Sequence, residues 1–273
     1  VNLKADTQGL LIYGTMGLYL LSFVSAAVVT RSGKPVTRAK NRVVSGVFAA
    51  AALLSVVSVV YRGVHVDHLP MQNMFEVFLT LGACIGPIHW LSRKMIRRTH
   101  PAFLAVDAIV AVVVLFPAGF VFHHQPQLLP PALQSWLFGP HVAAYMLAYI
   151  FMAKAAVFAG AGLIGDKPNV LGTLSDYAYR MTAAGFAMLT LGLFLGSVWG
   201  KLAWGDWWGW EPKELWSLVC WLVYAIYFHV RFAWPRALRA HNVLVLLGLA
   251  AIIITLLWVN LSKLFGGMHN YAA

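Results

Sequence analysis

The sequence predicts an all-α, polytopic integral membrane protein with about eight transmembrane helices and both ends of the chain outside. Three observations predict it. Of the 273 residues, 60% are hydrophobic and 11% charged, with a mean hydropathy of +0.74; a soluble domain carries roughly 25% charged residues. Apolar runs long enough to cross a bilayer, about 20 residues, recur eight times along the chain. Basic residues gather in every second connection between those runs. The formal net charge of +11 is therefore read as loops facing anionic lipid headgroups, not as a nucleic-acid surface.

The runs lie at 9–30, 43–61, 75–91, 102–122, 142–164, 181–199, 214–231 and 243–264. The first is read as a span and not as a separate cleavable signal. The connection after it, 31–42, carries Arg31, Lys34, Arg38, Lys40 and Arg42. The second run leads to an outer loop with His65 and His68. The third is short and ends in 92–101, with Arg93, Lys94, Arg97 and Arg98. The fourth opens onto an outer stretch with His123 and His124. The fifth starts after Gly139-Pro140 at His141, contains Lys154, and is followed by Lys167 and Arg180. The sixth ends in a cluster of tryptophans, and the seventh, aromatic-rich, ends near Arg231, Arg236 and Arg239. The alternate connections thus hold 14 of the 20 Lys and Arg. The positive-inside rule makes those connections cytoplasmic. Lys4, Arg62, Lys201, Lys213 and Lys263 fall on the opposite, outer side. The whole of 1–273 is read as a single membrane domain. Cys84 and Cys220 stand far apart inside apolar runs, which argues against a disulfide framework, a zinc ribbon or a thiol-redox motif.

Seven of the eleven tryptophans crowd between 199 and 221, and the core of that stretch reads WGDWWGWEPKELWSL, residues 204–218. An interfacial aromatic belt spreads over all helix ends, whereas here the tryptophans sit in one external segment. Gly205 and Gly209 let its backbone bend closely around something flat, and Pro212 suits the first turn of the next helix. These features point to a planar apolar ligand. Glu214 falls in that first turn, where a carboxylate also complements the helix dipole.

The segment WGDWWGWEPKELWSLVCWLVYAIYFHVR resembles the tryptophan-rich WWD signature of haem-handling membrane proteins, and most closely the CcsA (ResC) family of System II cytochrome c maturation. Supporting stretches are DHLPMQNMFEVF, GPHVAAYMLAYIF and VNLSKLFGGMHNY; residues 1–64 match in hydropathy only. The family usually has Asp where this chain has Glu211. The resemblance implies an external WWD haem-binding segment over 200–216, with Trp204, Trp207, Trp208, Trp210 and Glu211 in contact with haem b as transported ligand. It implies His141 and His269 as the two external axial ligands to haem iron, a role that imidazole often fills. His229 lies 17 residues beyond Pro212, about 25 Å deeper at 1.5 Å per residue. At that depth it cannot share one iron with His141 and His269, and the resemblance implies a second, inner haem site there; an ionisable residue inside a span is costly and commonly functional.

The resemblance further implies haem transport across the membrane and covalent attachment to the CxxCH cysteines of an apocytochrome c, as part of a haem lyase. A CcsB (ResB) membrane subunit is the implied partner, and the second inner ligand is expected from a second subunit or a fused domain. The implied setting is a bacterial plasma membrane, with a thylakoid membrane as the other setting in which the family occurs. Two alternatives stay open: a haem exporter or binding subunit without attachment activity, and a System I protein resembling CcmC or CcmF. A permanently haem-loaded cytochrome would need paired histidines at matched depth within spans, and only His229 is so placed. No residue assisting thiol addition is identified. Lys201 and Lys213 flank the segment and are candidates for the haem propionates. The outer pairs His65/His68 and His123/His124 are read as solvated loop residues, since no Cys or carboxylate cluster completes a metal site around them.

Overall fold

A computed structural model describes residues 4, 6–32, 37–96, 101–165 and 168–258. Among them there is no strand, and eight helices are long and apolar enough to cross a membrane. They are α1 (Thr7–Arg31), α2 (Arg38–Val66), α3 (Met74–Ile96), α4 (Pro101–Phe120), α5 (Phe138–Ile164), α6 (Pro168–Trp204), α7 (Pro212–Ala233) and α8 (Leu238–Ile253). The last continues as a π-helical turn, Ile254–Trp258. Each of the eight expected runs is helical over all or nearly all of its described residues. Residues 259–264 of the eighth lie outside the described residues. The sixth differs most: 37 residues make a helix of about 55 Å, well beyond a hydrocarbon core of about 30 Å. Its polar first turns hold helical geometry with an Asp176–Arg180 pair at 2.9 Å, spaced i,i+4, where hydropathy alone places no span.

The helices fall into two compact units, residues 1–129 and 130–273. In the first, α1 packs on α2 and α4, and α3 on α2 and α4. Asp6 caps α1 by accepting the Gly9 N–H at 2.9 Å, and Thr37 accepts the Lys40 N–H ahead of α2. Both α1 and α2 bury a stripe at alternating spacings of four and three: Ile12, Thr15, Tyr19, Ser22 and Ala26 on one, Val44, Phe48, Ala51, Ser55 and Ser58 on the other. That spacing is the seam of left-handed helix pairs. Polar members of the seam tie across it, as where Gln8 Nε2 donates to Ser58 Oγ at 2.8 Å.

Two buried pairs in this unit hold ionisable side chains inside it. Arg62, expected on an outer loop, lies within α2, 2% exposed, and donates through Nη2 to Glu76 Oε1 of α3 at 2.8 Å. His89, near the end of the third run, is 2% exposed in α3, with Nδ1 2.5 Å from Asp107 Oδ2 of α4. Hydropathy windows push ionisable residues toward span ends; a partner 14 or 18 residues away lets them stay inside.

In the second unit, α5 packs on α6 and α8, and α7 on α8. Its core joins Met152 of α5, Leu189 of α6, Cys220 and Tyr224 of α7 and Ile252 of α8. Gly248 of α8 lets Tyr224 lie against it: a Cβ there would stand 2.7 and 2.8 Å from the ring carbons Cε1 and Cε2. The opposite face of α7 is uncovered, with Leu215, Val219, Leu222 and Ile226 exposed at spacings of four, three and four.

Candidate functional site

The site is built on the second unit, where the start of α5 meets the end of α6. A short 3-10 turn, Pro131–Leu133, precedes α5, and His141 sits in the first turn of α5, its N–H donating to the Leu137 carbonyl at 3.0 Å. The imidazole lies against the glycine-lined face of α6. Nδ1 is 2.9 Å from the Gly192 carbonyl oxygen; a carbonyl only accepts, so Nδ1 carries a proton, and in the neutral ring the lone pair is that of Nε2. At Gly196 a Cβ would fall 2.5 Å from His141 Cε1 and 2.9 Å from Nδ1.

Aromatic rings extend from the imidazole in both directions. Trp199 of α6, 3% exposed, stacks on His141 with centroids 5.7 Å apart and planes 30° apart. Its indole N–H donates to the Ala132 carbonyl at 3.1 Å, so the turn ahead of α5 fixes the ring. Trp204, the last residue of α6, lies 4.8 Å from Trp199. On the other side Tyr145 meets His141 edge-on at 5.1 Å. His141 and Trp204, both sequence candidates, are therefore joined through Trp199.

The other expected tryptophans lie on the loop between α6 and α7. Trp207 and Trp210 are 57% and 67% exposed, Trp208 is half-buried, and Trp208 and Trp210 meet edge to face at 6.1 Å. The loop is held from both ends. Ser197 Oγ donates to the Trp207 carbonyl at 2.9 Å and Lys201 Nζ to the Gly205 carbonyl at 2.5 Å. From α7, Glu214 Oε2 accepts the N–H of Gly209 at 2.8 Å and of Glu211 at 3.2 Å. Gly205 takes φ +90°, and Trp210 takes φ +56°, a left-handed conformation uncommon for a bulky residue that turns its indole outward.

Glu211 occupies the N-cap position of α7 and Pro212 its first helical position. Asp and Asn are the preferred carboxylate and amide caps, so an Asp at this position would suit the same local role. Glu214 acts as the capping carboxylate of the third helical position.

His229 stands near the far end of α7, exposed on the uncovered face, three residues beyond Ile226. Its ring lies 6.3 Å from Trp234, and two residues on, the Arg231 guanidinium lies 4.2 Å over Tyr179. It is thus at the opposite end of α7 from Glu211 and the Trp loop. His269 lies outside the described residues. Lys213 is half-buried in the first turn of α7. Among the remaining histidines, His124 Nε2 pairs with Asp6 Oδ2 at 2.7 Å, His65 stacks on Tyr61, and His68 Nδ1 faces the Leu69 carbonyl. No cluster of three or more His, Cys, Asp or Glu occurs among the described residues.

Sequence reasoning missed Tyr145, Gly192 and Gly196 and left Trp199 outside the expected site. The glycine pair carries a signal: a small residue repeated at i,i+4 lets another helix or side chain approach the backbone closely.

Known proteins resemble this chain over most of its length. The model of the cytochrome C assembly protein family matches residues 10–269. A cytochrome c biogenesis protein CcsA of Synechococcus sp. (strain RCC307) is 30% identical, over 96% of this chain and 94% of its own. The CcsA of Prochlorococcus marinus (strain MIT 9303) is 29% identical over 85% and 84%, and that of Manihot esculenta 26% identical over 78% and 80%. Among solved structures, a cytochrome c haem lyase, CcmF, shares the fold with a TM-score of 0.70 at 16% identity; 94% of this chain is covered and about half, 48%, of that one.

Proposed function

Because the chain belongs to the cytochrome c assembly protein family, we propose that it delivers haem to an external site formed by the 204–211 loop and His141, for covalent attachment to an apocytochrome c CxxCH motif together with a CcsB-type membrane subunit. The observation that carries this reading is the run Trp204–Trp199–His141. It couples the exposed tryptophan loop to an imidazole whose proton sits on Nδ1, so that Nε2 is the donor toward iron.

In this reading haem b is the substrate, and the chain contributes binding, orientation and water exclusion. Its iron is held by His141 and, from the far end of the chain, His269. Trp207 and Trp210 supply the exposed aromatic faces that cover the macrocycle, and Trp204 and Trp208 the half-buried floor. Attachment adds a thiol S–H across a vinyl C=C, forming a C–S bond with no net change in oxidation state. The protein lowers the barrier by holding vinyl carbon and sulfur at fixed separation. In this reading the basic connections face the cytoplasm and the tryptophan loop and both chain ends the outer side, as the positive-inside rule suggests.

His229 supports the partner. An imidazole on an otherwise apolar, uncovered face of a membrane helix is costly against lipid. The 4-3-4-3 spacing of Leu215, Val219, Leu222, Ile226 and His229 is the spacing of a helix-pairing seam. A CcsB-type helix along it completes the inner haem site, where haem is received before it moves outward.

The test is the visible spectrum of the detergent-purified protein, co-expressed with its partner, for wild type and for His141→Ala, His269→Ala and His229→Ala. Bis-histidine haem bands in wild type, lost in either external variant and restored by imidazole, are the expected result. A haem-free wild type, or external variants with unchanged bands, would sink the ligand assignment. Haem-stained cytochrome c in the same cells separates attachment from export alone: an exporter leaves the partner to form holocytochrome without the external ligands.

A further inference from the structure

We propose that Gly196 and Tyr145 are positioning residues for His141, selecting both the rotamer and the tautomer with which it meets iron. The proposal rests on the reading of His141 as an external axial ligand, and deepens it.

Four contacts leave the imidazole one place to lie. The Gly192 carbonyl accepts from Nδ1 at 2.9 Å. Trp199 covers one face at 5.7 Å, and Tyr145 abuts an edge at 5.1 Å with planes 83° apart. The Gly196 backbone closes the side where a methyl would sit 2.5 Å from Cε1. Tyr145 is seated in the same way against Gly192, where a Cβ would stand 2.9 and 3.0 Å from its Cδ2 and Cε2. The two glycines are thus the sockets for two consecutive rings of α5, and Gly192 also provides the acceptor. An imidazole pushed off Gly196 moves away from that acceptor, and with it goes the preference for the proton on Nδ1.

Positioning of this kind has a known scale for metal-binding histidines: loss of the group that holds the second ring nitrogen costs about 10–100-fold in affinity. Gly196→Ala is therefore expected to lower haem affinity about 10–100-fold, and added imidazole, which needs no positioning, is expected to restore the bands. A structural role alone would not produce that rescue.

A second readout needs no haem. In protein labelled with ¹⁵N-histidine, the His141 signal, identified by its loss in His141→Ala, is expected to show the Nδ1-protonated tautomer in wild type and a mixture in Gly196→Ala. Because an added methyl crowds α5 against α6, Tyr145→Leu, which adds no bulk, is measured in parallel. Gly160→Ala serves as the control, its nearest neighbour being Leu246 Cδ2 at 4.0 Å. If Gly196→Ala and Tyr145→Leu both keep the wild-type tautomer and wild-type haem content, the positioning role is overturned. If His141→Ala keeps the wild-type haem spectrum, the ligand reading fails instead, whatever the tautomer measurement gives.

Discussion

Arg62 offers a prediction whose size can be worked from its contacts. Its guanidinium donates to Glu76 Oε1 through Nε at 3.1 Å and Nη2 at 2.8 Å, to the His124 carbonyl at 2.6 Å and to the Gln125 carbonyl at 3.4 Å. Both side chains are buried, 3% and 0% exposed. Arg62→Met leaves the Glu76 carboxylate buried with the Gln72 N–H, 2.9 Å away at Oε2, and strips two carbonyls of their donor. Breaking a buried pair by removing one partner costs about 3–5 kcal/mol. For a chain of this size each kcal/mol moves Tm by about 2–4 °C, so a drop of roughly 10 °C is expected. Arg62→Met/Glu76→Gln removes the orphaned charge and is expected to recover about half of that loss. It does not recover all of it, because the carbonyls of 124 and 125 stay bare. The assay is thermal unfolding in detergent followed with a thiol-reactive fluorogenic maleimide. A Cys220→Ser background leaves Cys84, within α3, as the reporter of the first unit, its thiol reacting as that helix loses its packing. Arg62→Met melting within about 2 °C of its parent, or a double variant melting below both single ones, would refute the reasoning.

Three further predictions use the same assay or a simple variant of it. Gly248→Ala drives a methyl into the Tyr224 ring and is expected to destabilise by about 1–3 kcal/mol, whereas Gly46→Ala, with nothing within 4 Å of its Cβ, is expected to stabilise by about 0.5–1 kcal/mol; the two Tm shifts should have opposite signs. Asp6 is partly desolvated, which alone raises its carboxyl, but the Gly9 N–H and the His124 pair outweigh that and hold it below its ordinary value. A depressed folded pKa stabilises above the unfolded value and is lost as pH falls through the folded one, so wild type and Asp6→Asn should differ near neutrality by less than about 1 kcal/mol and converge as pH falls below about 4. Glu214→Ala removes the acceptor of the Gly209 and Glu211 N–H groups and is expected to cost about 1 kcal/mol and to speed proteolysis between α6 and α7; Glu211→Asp is expected to leave that cleavage rate unchanged or slower.

The element map was legible because a span announces itself by composition over about 20 residues, which survives any ambiguity about its ends. What composition does not carry is the partner of a charge. Arg62 reads as a residue near water because it was weighed alone; Glu76 makes it interior, and nothing local in the sequence joins residue 62 to residue 76. His89 is seated in the same way by Asp107. Lys4 belongs with them: its ammonium donates to the Ala118 and Gly119 carbonyls at the end of α4, and desolvation holds its pKa down, although it stands only two residues before the N-cap of α1.

The candidate site divides along the same line. His141 and the tryptophan loop stand out by residue type, since an imidazole at a helix start and indoles packed into one loop are chemically conspicuous. The groups that decide how they work are inconspicuous. A glycine has no chemistry to notice, yet Gly192 supplies the acceptor that assigns the His141 proton, and Gly196 supplies the space in which the ring lies. Glu211 shows the converse, a conspicuous carboxylate among tryptophans whose position is the N-cap of α7. A cap requires only a short acceptor at the right backbone geometry. A change between Asp and Glu at this position therefore bears on the stability of the helix start and of the loop which that start holds in place.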